Sequence, residues 1–159
     1  MKQIIIYTDG GCRGNGKNDK NIGAIGGILI YQAGQQKKEF KKAFPNTTNN
    51  QMELMAVITA LQMLKEPCQV TIHSDSSYVV NAYKQHWVDG WKKKGWTRGK
   101  AGALKNKELW VTLDQLVQKN DVSFEKVKGH ANDNLNNRAD LLVNEAMDEW
   151  LEDQKRCIL

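Results

Sequence analysis

The sequence predicts an α/β fold in which a five-stranded mixed sheet is flanked by helices. Stretches typical of strands occur at 4–7 and 25–31, which are apolar, and at 37–44, which is short and charged and is expected at an edge of the sheet. No helical pattern lies between them, as in an antiparallel meander. Two later stretches, at 70–74 and 122–127, each follow a helical pattern, and a strand–helix–strand unit places its strands parallel to one another. The first three strands are therefore expected to be antiparallel and the later ones parallel.

Length and composition favour one globular domain, which we expect to span all 159 residues, 1–159. No apolar run approaches the ~20 residues of a membrane span, and no basic and apolar leader precedes the first strand. The 3 cysteines are widely spaced and form no CxxC motif, which favours a reducing cytoplasm and argues against a structural zinc site. We therefore expect a cytoplasmic protein, and a monomer because no assembly signal is visible.

The first strand reads as buried on both faces and delivers Asp9 at its C-terminal end. Polar groups at that end lie at the rim where open α/β sheets bind their ligands. The alternative is that Asp9 only opens a turn, since Asp-Gly is a common turn dipeptide and Gly10 and Gly11 follow. The local sequence leaves both interpretations open.

Two further carboxylates are candidates for partners of Asp9. Glu53 opens an amphipathic helix and lies along or beside its buried stripe; alternatively, it forms a capping box with Asn50. Asp75 follows the fourth strand, where it could serve only as a helix N-cap. The strand–helix–strand order can bring Asp9, Glu53 and Asp75 to one end of the sheet.

Carboxylates gathered at one rim repel one another and cost stability unless a cation lies between them. Hard oxygen ligands without a nearby cysteine or histidine pair indicate Mg²⁺ or Mn²⁺ and not zinc. Because Mg²⁺ keeps coordination positions open for substrate oxygens, such a site suits a phosphate-containing substrate.

A basic segment spans residues 84–107, where lysine and arginine number eight and the one acidic residue is Asp89. Charge concentrated in this way indicates a polyanionic partner, and aromatic side chains among lysines suit contact with bases or sugars beside a phosphate track. The alternatives are a solvated helix face and tryptophans that anchor the segment on the core, which we expect for at least one of them. The interleaved residues are Trp87, Trp91, Lys92, Lys93, Lys94 and Trp96.

The last strand leads through a polar loop that contains His130 into a helix that bears Asp140. A histidine in a loop near carboxylates suits proton transfer, although a loop histidine is more often only solvated. Asp140 in the first turns of a helix is explained equally well by the helix dipole. The local sequence therefore does not decide the role of either residue.

Five blocks of the sequence occur in a characteristic order: Tyr-Thr-Asp-Gly-Gly-Cys at 7–12 with Gly14 and Asn15, Thr-Thr-Asn-Asn-Gln-Met-Glu-Leu at 47–54, Ser-Asp-Ser at 74–76, Val-Lys-Gly-His-Ala at 127–131 and Asn-Asn-Arg-Ala-Asp at 136–140. Together they resemble ribonuclease H type 1 over about residues 2–148. The segment from Trp87 to Trp96 resembles the basic protrusion of the bacterial enzymes, and we expect this protrusion over about 84–103. A C-terminal helix and tail are expected over about 137–159.

The resemblance implies a ribonuclease H-like fold and an endoribonuclease that cleaves the RNA strand of RNA–DNA hybrids, leaving 5′-phosphate and 3′-hydroxyl ends. It implies two Mg²⁺ ions in the complex with substrate, with Mn²⁺ as a substitute. His130 matches a loop histidine that helps proton transfer or product release. The metal-binding catalytic carboxylates that it implies are Asp9, Glu53, Asp75 and Asp140.

The resemblance also implies two groups of substrate-binding residues. The first group reads the minor groove of the hybrid or lies close to the substrate backbone, and comprises Cys12, Asn15, Thr48, Asn49, Asn50 and Gln51. The second supports binding along the DNA strand, and comprises Trp87, Lys92, Lys93 and Trp96.

Three features depart from the family pattern. Ser77 occupies a substrate-contact position where many bacterial relatives have a glutamine, which puts that contact in doubt. Asn137 replaces an acidic residue common near the fourth carboxylate, and the loop at 13–22 is longer than the usual bacterial form.

Two alternatives belong to other functional classes. A non-catalytic nucleic-acid-binding module on the same fold would keep the basic segment and lose the carboxylates, whereas all four are present. A strand-transfer nuclease of the integrase or transposase type would share the fold and the two-metal chemistry. It would lack the protrusion that contains Lys92 and would need additional DNA-binding domains.

Overall fold

The computed structural model describes residues 1–14, 21–127 and 134–158, and the side chain of residue 158 is left out. Within these residues, five strands form one sheet in the order β3-β2-β1-β4-β5. The strands are β1 (Lys2–Arg13), β2 (Ile22–Tyr31), β3 (Gln36–Pro45), β4 (Cys68–Ser74) and β5 (Asp121–Lys126).

The helices connect and cover this sheet. A short 3₁₀ turn, Gly99–Ala101, lies within the basic segment. The helices are α1 (Asn49–Gln62), α2 (Ser77–Lys84), α3 (Trp87–Lys93), α4 (Lys107–Lys119) and α5 (Asn134–Ile158). Among the described residues, no helix combines the length and the apolar character needed to cross a membrane.

The strand directions confirm the predicted mixed sheet. β1 pairs with β2, and β2 with β3, in antiparallel fashion, whereas β4 is parallel to both β1 and β5. β2 is buried along nearly its whole length, because α1 packs on one of its faces and α5 on the other. β3 is the exposed, lysine-rich edge strand that the sequence predicts.

The first strand differs from the prediction, because it does not end at Asp9. β1 continues to Arg13 and keeps its pairing with β2, in which Asp9 lies opposite Gly26. Its parallel pairing with β4 stops earlier, at Tyr7 and His73. The interpretation of Asp9 as a turn residue is therefore wrong: Asp9 lies in a strand, just beyond the last residue that β4 covers.

Two layers of helix close the core. On one face of the sheet, the helices α1, α2 and α4 bury Ile6, Ile72 and the fully enclosed Trp110. On the other face, α5 packs on β1, β2 and β3, with Leu142 against Ile28 and Ile30. Asp9 points to the side of the sheet on which α5 lies, since Ile5, four residues earlier on β1 and therefore on the same face, packs against Leu142 of α5 and its neighbours.

Candidate active site

An acidic cluster lies where β1 extends past β4. Asp9 on β1, Glu53 on α1 and Asp75 after β4 each present a carboxylate oxygen, and these atoms all lie within 4.8 Å of one another. Asp9 and Glu53 are each only 9% exposed. The predicted convergence of these three residues is therefore confirmed.

The cap of α1 leaves Glu53 available to this cluster. The Thr48 hydroxyl accepts a hydrogen bond from the Gln51 backbone N–H at 3.1 Å, and the Gln51 side chain accepts one from the Thr48 N–H at 3.2 Å. The capping box thus consists of Thr48 and Gln51, and the alternative box of Asn50 and Glu53 is wrong. Glu53 instead accepts a hydrogen bond from the backbone N–H of Gly10 at 2.5 Å.

Two glycines allow helices to approach Asp9 from opposite faces of the sheet. A Cβ at Gly10 would lie 2.4 Å from the carbonyl carbon of Met52 in α1, which is closer than real atoms come. A Cβ at Gly26 would lie 2.9 Å from the carbonyl oxygen of Ala139 in α5. Any larger residue would push α1 or α5 outward, and with it Glu53 or the Asp140 that follows Ala139.

Asp75 is not the N-cap of α2. The cap is Ser76, whose hydroxyl accepts a hydrogen bond from the Val79 N–H at 3.3 Å. The N–H of Ser76 in turn donates to the Ser74 hydroxyl at 3.1 Å. Because its neighbours form the cap, the Asp75 carboxylate is available to the acidic cluster, and the interpretation as a simple cap residue is wrong.

The electrostatics of the cluster are unfavourable for several negative charges. Burial, the charges of Asp75 and Asp140 and a hydrogen bond with Asp140 together raise the pKa of Asp9 to about 7, although a hydrogen bond with Glu53 opposes the rise. Burial and the charges of Asp9 and Asp75 also hold the pKa of Glu53 well above its ordinary value. Asp140, in the second turn of α5, therefore joins the other three carboxylates.

The residues of the cluster fit a divalent cation. Their donors are carboxylate oxygens, which Mg²⁺ and Mn²⁺ prefer, and the causes that raise the pKa values of Asp9 and Glu53 are burial and the neighbouring carboxylates. A bound cation would offset this repulsion and would favour the ionised carboxylates.

The predicted minor-groove residues lie mainly at the start of α1, directly before Glu53. Asn49 and Asn50 are exposed there. Thr48 and Gln51 have a structural role in the cap, and Gln51 Nε2 also donates to Asn106 Oδ1 at 3.4 Å. Cys12, near the end of β1, is partly buried, and this burial raises the pKa of its thiol. Two predicted residues, Asn15 and His130, lie outside the described residues.

The basic segment is anchored on the core by only some of its aromatic residues. Trp91 packs edge-on against Trp110, with ring centroids 5.1 Å apart, whereas Trp87 is 44% exposed. Trp96 is partly buried against the same core, with a positive φ of 63°. Trp91 and Trp96 thus act as the anchors that the sequence left as an alternative, and Trp87 is available to a partner.

Two of the predicted cationic residues differ in their surroundings. Lys93 is exposed, whereas Lys92 Nζ lies 2.9 Å from Asp114 Oδ2 in an ion pair. Asp114 is 5% exposed, and its other oxygen accepts a hydrogen bond from the Tyr83 hydroxyl at 3.3 Å. Burial and the charge of Asp114 raise the pKa of Tyr83, so this hydroxyl remains a donor.

Sequence reasoning missed Asp114 and Lys126. Asp114 follows Trp110 by four residues and therefore lies on the buried side of α4, a position that already signals a paired charge. Lys126, the last residue of β5, donates from Nζ to the Ser77 hydroxyl at 2.6 Å. Lys126 comes two residues after the buried Phe124 and therefore lies on the same face of β5, which is the feature of the sequence that could have identified it. Asn137, on α5, is exposed.

This chain is similar to known proteins over most of its length. The RNase H family model matches residues 1–148. Ribonuclease H of Clostridium botulinum (strain Hall) is 57% identical over 150 residues, which cover 94% of this chain and 99% of that protein.

Solved structures are similar as well. LC9-RNase H1, a type 1 RNase H with the type 2 active-site motif, has a TM-score of 0.80 at 31% identity, covering 92% of this chain and 72% of that chain. LC11-RNase H1, solved in complex with RNA/DNA hybrid, has a TM-score of 0.64 at 26% identity, covering 93% of this chain and 99% of that chain. These similarities confirm the predicted ribonuclease H-like fold. On its sequence and its fold, the chain belongs to the RNase H family.

Proposed function

We propose that this chain is an endoribonuclease that hydrolyses the RNA strand of RNA–DNA hybrids, leaving 5′-phosphate and 3′-hydroxyl ends. The observation that carries the proposal is the acidic cluster of Asp9, Glu53 and Asp75 at the open end of the sheet, in a chain of the RNase H family. A similar protein, LC11-RNase H1, has been solved in complex with RNA/DNA hybrid, which supports the same substrate class here.

The acidic cluster would hold two Mg²⁺ ions in the complex with substrate, with Mn²⁺ as a substitute. Cations of this kind lower the pKa of a bound water and stabilise the leaving oxygen of a phosphodiester. The role of Asp9, Glu53, Asp75 and Asp140 is to provide hard oxygen ligands from four elements, namely β1, α1, the end of β4 and α5. Their mutual repulsion supports this role, because a bound cation offsets it while the carboxylates stay ionised.

The hybrid would lie across the start of α1 and continue toward the basic segment. These two regions are physically joined, because Gln51 at the start of α1 donates to Asn106, which precedes α4 at the end of the basic segment. Asn106 is held in turn by its own donation to the Tyr78 hydroxyl at 3.1 Å. Exposed Asn49 and Asn50 would meet the minor groove, and exposed Trp87 and Lys93 would meet the DNA backbone.

Four parts of the proposal come from the sequence. His130 would assist proton transfer or product release, and Asn15 would contact the minor groove. We also propose that the protein acts as a monomer and in the cytoplasm, which sedimentation of the purified protein and cell fractionation would test.

The function is tested by incubating the protein with labelled RNA–DNA hybrid, RNA–RNA duplex and DNA–DNA duplex, each with and without Mg²⁺. We expect cleavage only of the RNA strand of the hybrid, only with the metal, and with products that carry 5′-phosphates. Asp153→Asn removes an exposed carboxylate on α5, 13 residues after Asp140. This variant should remain active, because Asp153 is not part of the acidic cluster. Cleavage of either homoduplex at a similar rate, or no cleavage of the hybrid, would contradict the proposal.

A further inference from the structure

A lysine outside the basic segment lies at the same end of the sheet as the acidic cluster. Lys126 ends β5 and is in register with Ser74 of β4, the residue directly before Asp75. Its Nζ donates to the hydroxyl of Ser77, two residues after Asp75, at 2.6 Å. The ammonium group is therefore held beside the strand end that carries Asp75, on the side of the sheet edge formed by β5.

The partner of this ammonium group is neutral, which distinguishes it from nearby lysines. Lys84 pairs with Glu125 at 3.4 Å and Lys92 with Asp114 at 2.9 Å, so a carboxylate offsets the charge of each. Lys126 donates instead to a hydroxyl, which orients the ammonium group and, being neutral, does not cancel its charge. A lysine ammonium has three donors, and the two that Ser77 does not use can bind an anion.

The substrate class of the proposed function supplies such an anion. A strand whose reacting phosphate lies at the acidic cluster must carry further phosphates on either side of it. Those phosphates are repelled by the carboxylates of the cluster, so a fixed cation beside them stabilises the bound strand. The start of α1 lies toward β1 and β2, whereas Lys126 lies toward β5, so the two would contact the strand on opposite sides of the cluster.

We propose that Lys126, oriented by Ser77, binds a phosphate of the RNA strand next to the reacting one. This inference rests on the proposed function, because it takes the RNA strand as the one that crosses the cluster. In this arrangement Ser77 orients the lysine, and the lysine supplies the charge that meets the phosphate.

The test measures binding of RNA–DNA hybrid to the full chain carrying Asp9→Asn, which slows cleavage enough for binding to be measured. Lys126→Met removes the charge and keeps the aliphatic stem, and Lys126→Arg keeps the charge. Lys119→Met changes an exposed lysine at the opposite end of α4 and is the matched control. We expect Lys126→Met to weaken binding about tenfold and to lower the salt slope of log K by about 1. Lys126→Arg should keep most of the affinity and most of the salt slope, and Lys119→Met should change neither quantity.

A second arm identifies the strand. Hybrids are made with a single uncharged methylphosphonate linkage, moved one position at a time along the RNA strand or the DNA strand. At one RNA linkage next to the cleavage position, we expect the hybrid with the methylphosphonate to bind the Lys126→Met variant and its parent equally. The phosphate charge that Lys126 contacts is already absent from that hybrid. The assignment to the RNA strand would be wrong if Lys126→Met still weakened binding with every modified RNA linkage. It would also be wrong if only a modified DNA linkage abolished the difference in affinity between the variant and its parent.

Failure of this inference is distinguishable from failure of the proposed function. If the unmodified chain cleaves the hybrid and Lys126→Met binds as its parent does, only the phosphate contact is wrong. If the unmodified chain cleaves no hybrid, the proposed function is wrong and the RNA-strand assignment falls with it. Thermal unfolding of each variant provides the control for folding; Lys126→Arg must bind tightly for the contact to stand.

Discussion

Buried carboxylates occur in two regions of this molecule. In one region the charged neighbour is a lysine, and in the other the charged neighbours are carboxylates. Asp114, 5% exposed, has a donor at each oxygen: Lys92 at 2.9 Å and the Tyr83 hydroxyl at 3.3 Å. Asp9 is 9% exposed, and the charged groups that raise its pKa are the carboxylates Asp75 and Asp140. Burial is similar in the two regions, so burial by itself does not separate them.

The sign of the neighbouring charge does separate them. A carboxylate that is buried with a cation and a donor is compensated, and it ties α3 and α2 to α4. Carboxylates that are buried among other carboxylates keep an uncompensated repulsion, which costs stability until a proton or a cation offsets it. The first arrangement is typical of a structural ion pair, and the second is typical of a functional site.

The largest expected effect is on catalysis. Asp9→Asn should lower the rate of hybrid cleavage by about 10³-fold or more, because it removes a charged ligand from the acidic cluster. Far-ultraviolet circular dichroism should be unchanged. Single-turnover cleavage with Mg²⁺ is the measurement. Asp114→Asn should keep most of the activity; an equal loss in the two variants would remove the distinction between the regions.

The next effect is on stability in the absence of metal. The folded-state pKa of Asp9 is raised to about 7 from an ordinary value of 3.8, so the folded chain binds this proton more tightly than the unfolded chain does. The contribution of Asp9 to the free energy of unfolding is therefore favourable below about pH 4 and is lost as the pH rises through about 7. Asp9→Asn should stabilise the metal-free protein above that pH by a few kcal/mol.

Chemical denaturation of the parent and of Asp9→Asn between pH 4 and 8, with a chelator present, measures this difference. The gap between the two should grow as the pH rises, and Mg²⁺ should narrow it by stabilising the parent. A gap that is constant with pH would show that the acidic cluster carries no such repulsion.

A smaller effect of opposite sign is expected in the other region. Asp114→Ala should lower the free energy of unfolding by about 2 kcal/mol, because it leaves Lys92 and the partly buried Tyr83 hydroxyl without their partner. Urea denaturation at neutral pH checks this value. Asp153→Ala, which changes an exposed aspartate on α5, should be within about 0.5 kcal/mol of the parent. If Asp114→Ala were more stable than the parent, Lys92 and Tyr83 would not compensate the charge of Asp114 as the distances indicate.

The smallest expected effect distinguishes two adjacent lysines. Lys93→Met should reduce the salt slope of hybrid binding by about 1, since Lys93 is exposed and available to a phosphate. Lys92→Met should reduce it clearly less, because Asp114 already offsets much of its charge. Anisotropy titrations between low and moderate salt measure both slopes. An equal reduction of the salt slope in the two variants would show that Lys92 leaves Asp114 when the hybrid binds.

Much of the fold could be predicted because the relevant patterns are local. Alternating and helical apolar spacings lie within each element, so the mixed sheet, the amphipathic α1 and the lysine-rich edge strand β3 were all confirmed. The ends of elements were less predictable. Asp9 continues a strand because β2 pairs with it through Gly26, a residue distant in the chain. Overlapping cap patterns in α1 could not be separated either, since Thr48 with Gln51 and Asn50 with Glu53 have the same spacing.

The sequence by itself therefore determined which elements form and that three carboxylates would meet at one end of the sheet, because residue type and spacing carry this information. Only the tertiary structure decided how closely they meet and which other charges are compensated. Those distances depend on how near α1 and α5 come to β1, which Gly10 and Gly26 control, and on Lys92 reaching Asp114 across two helices. Contacts between residues so far apart in the chain are set by packing, and local propensity does not encode packing.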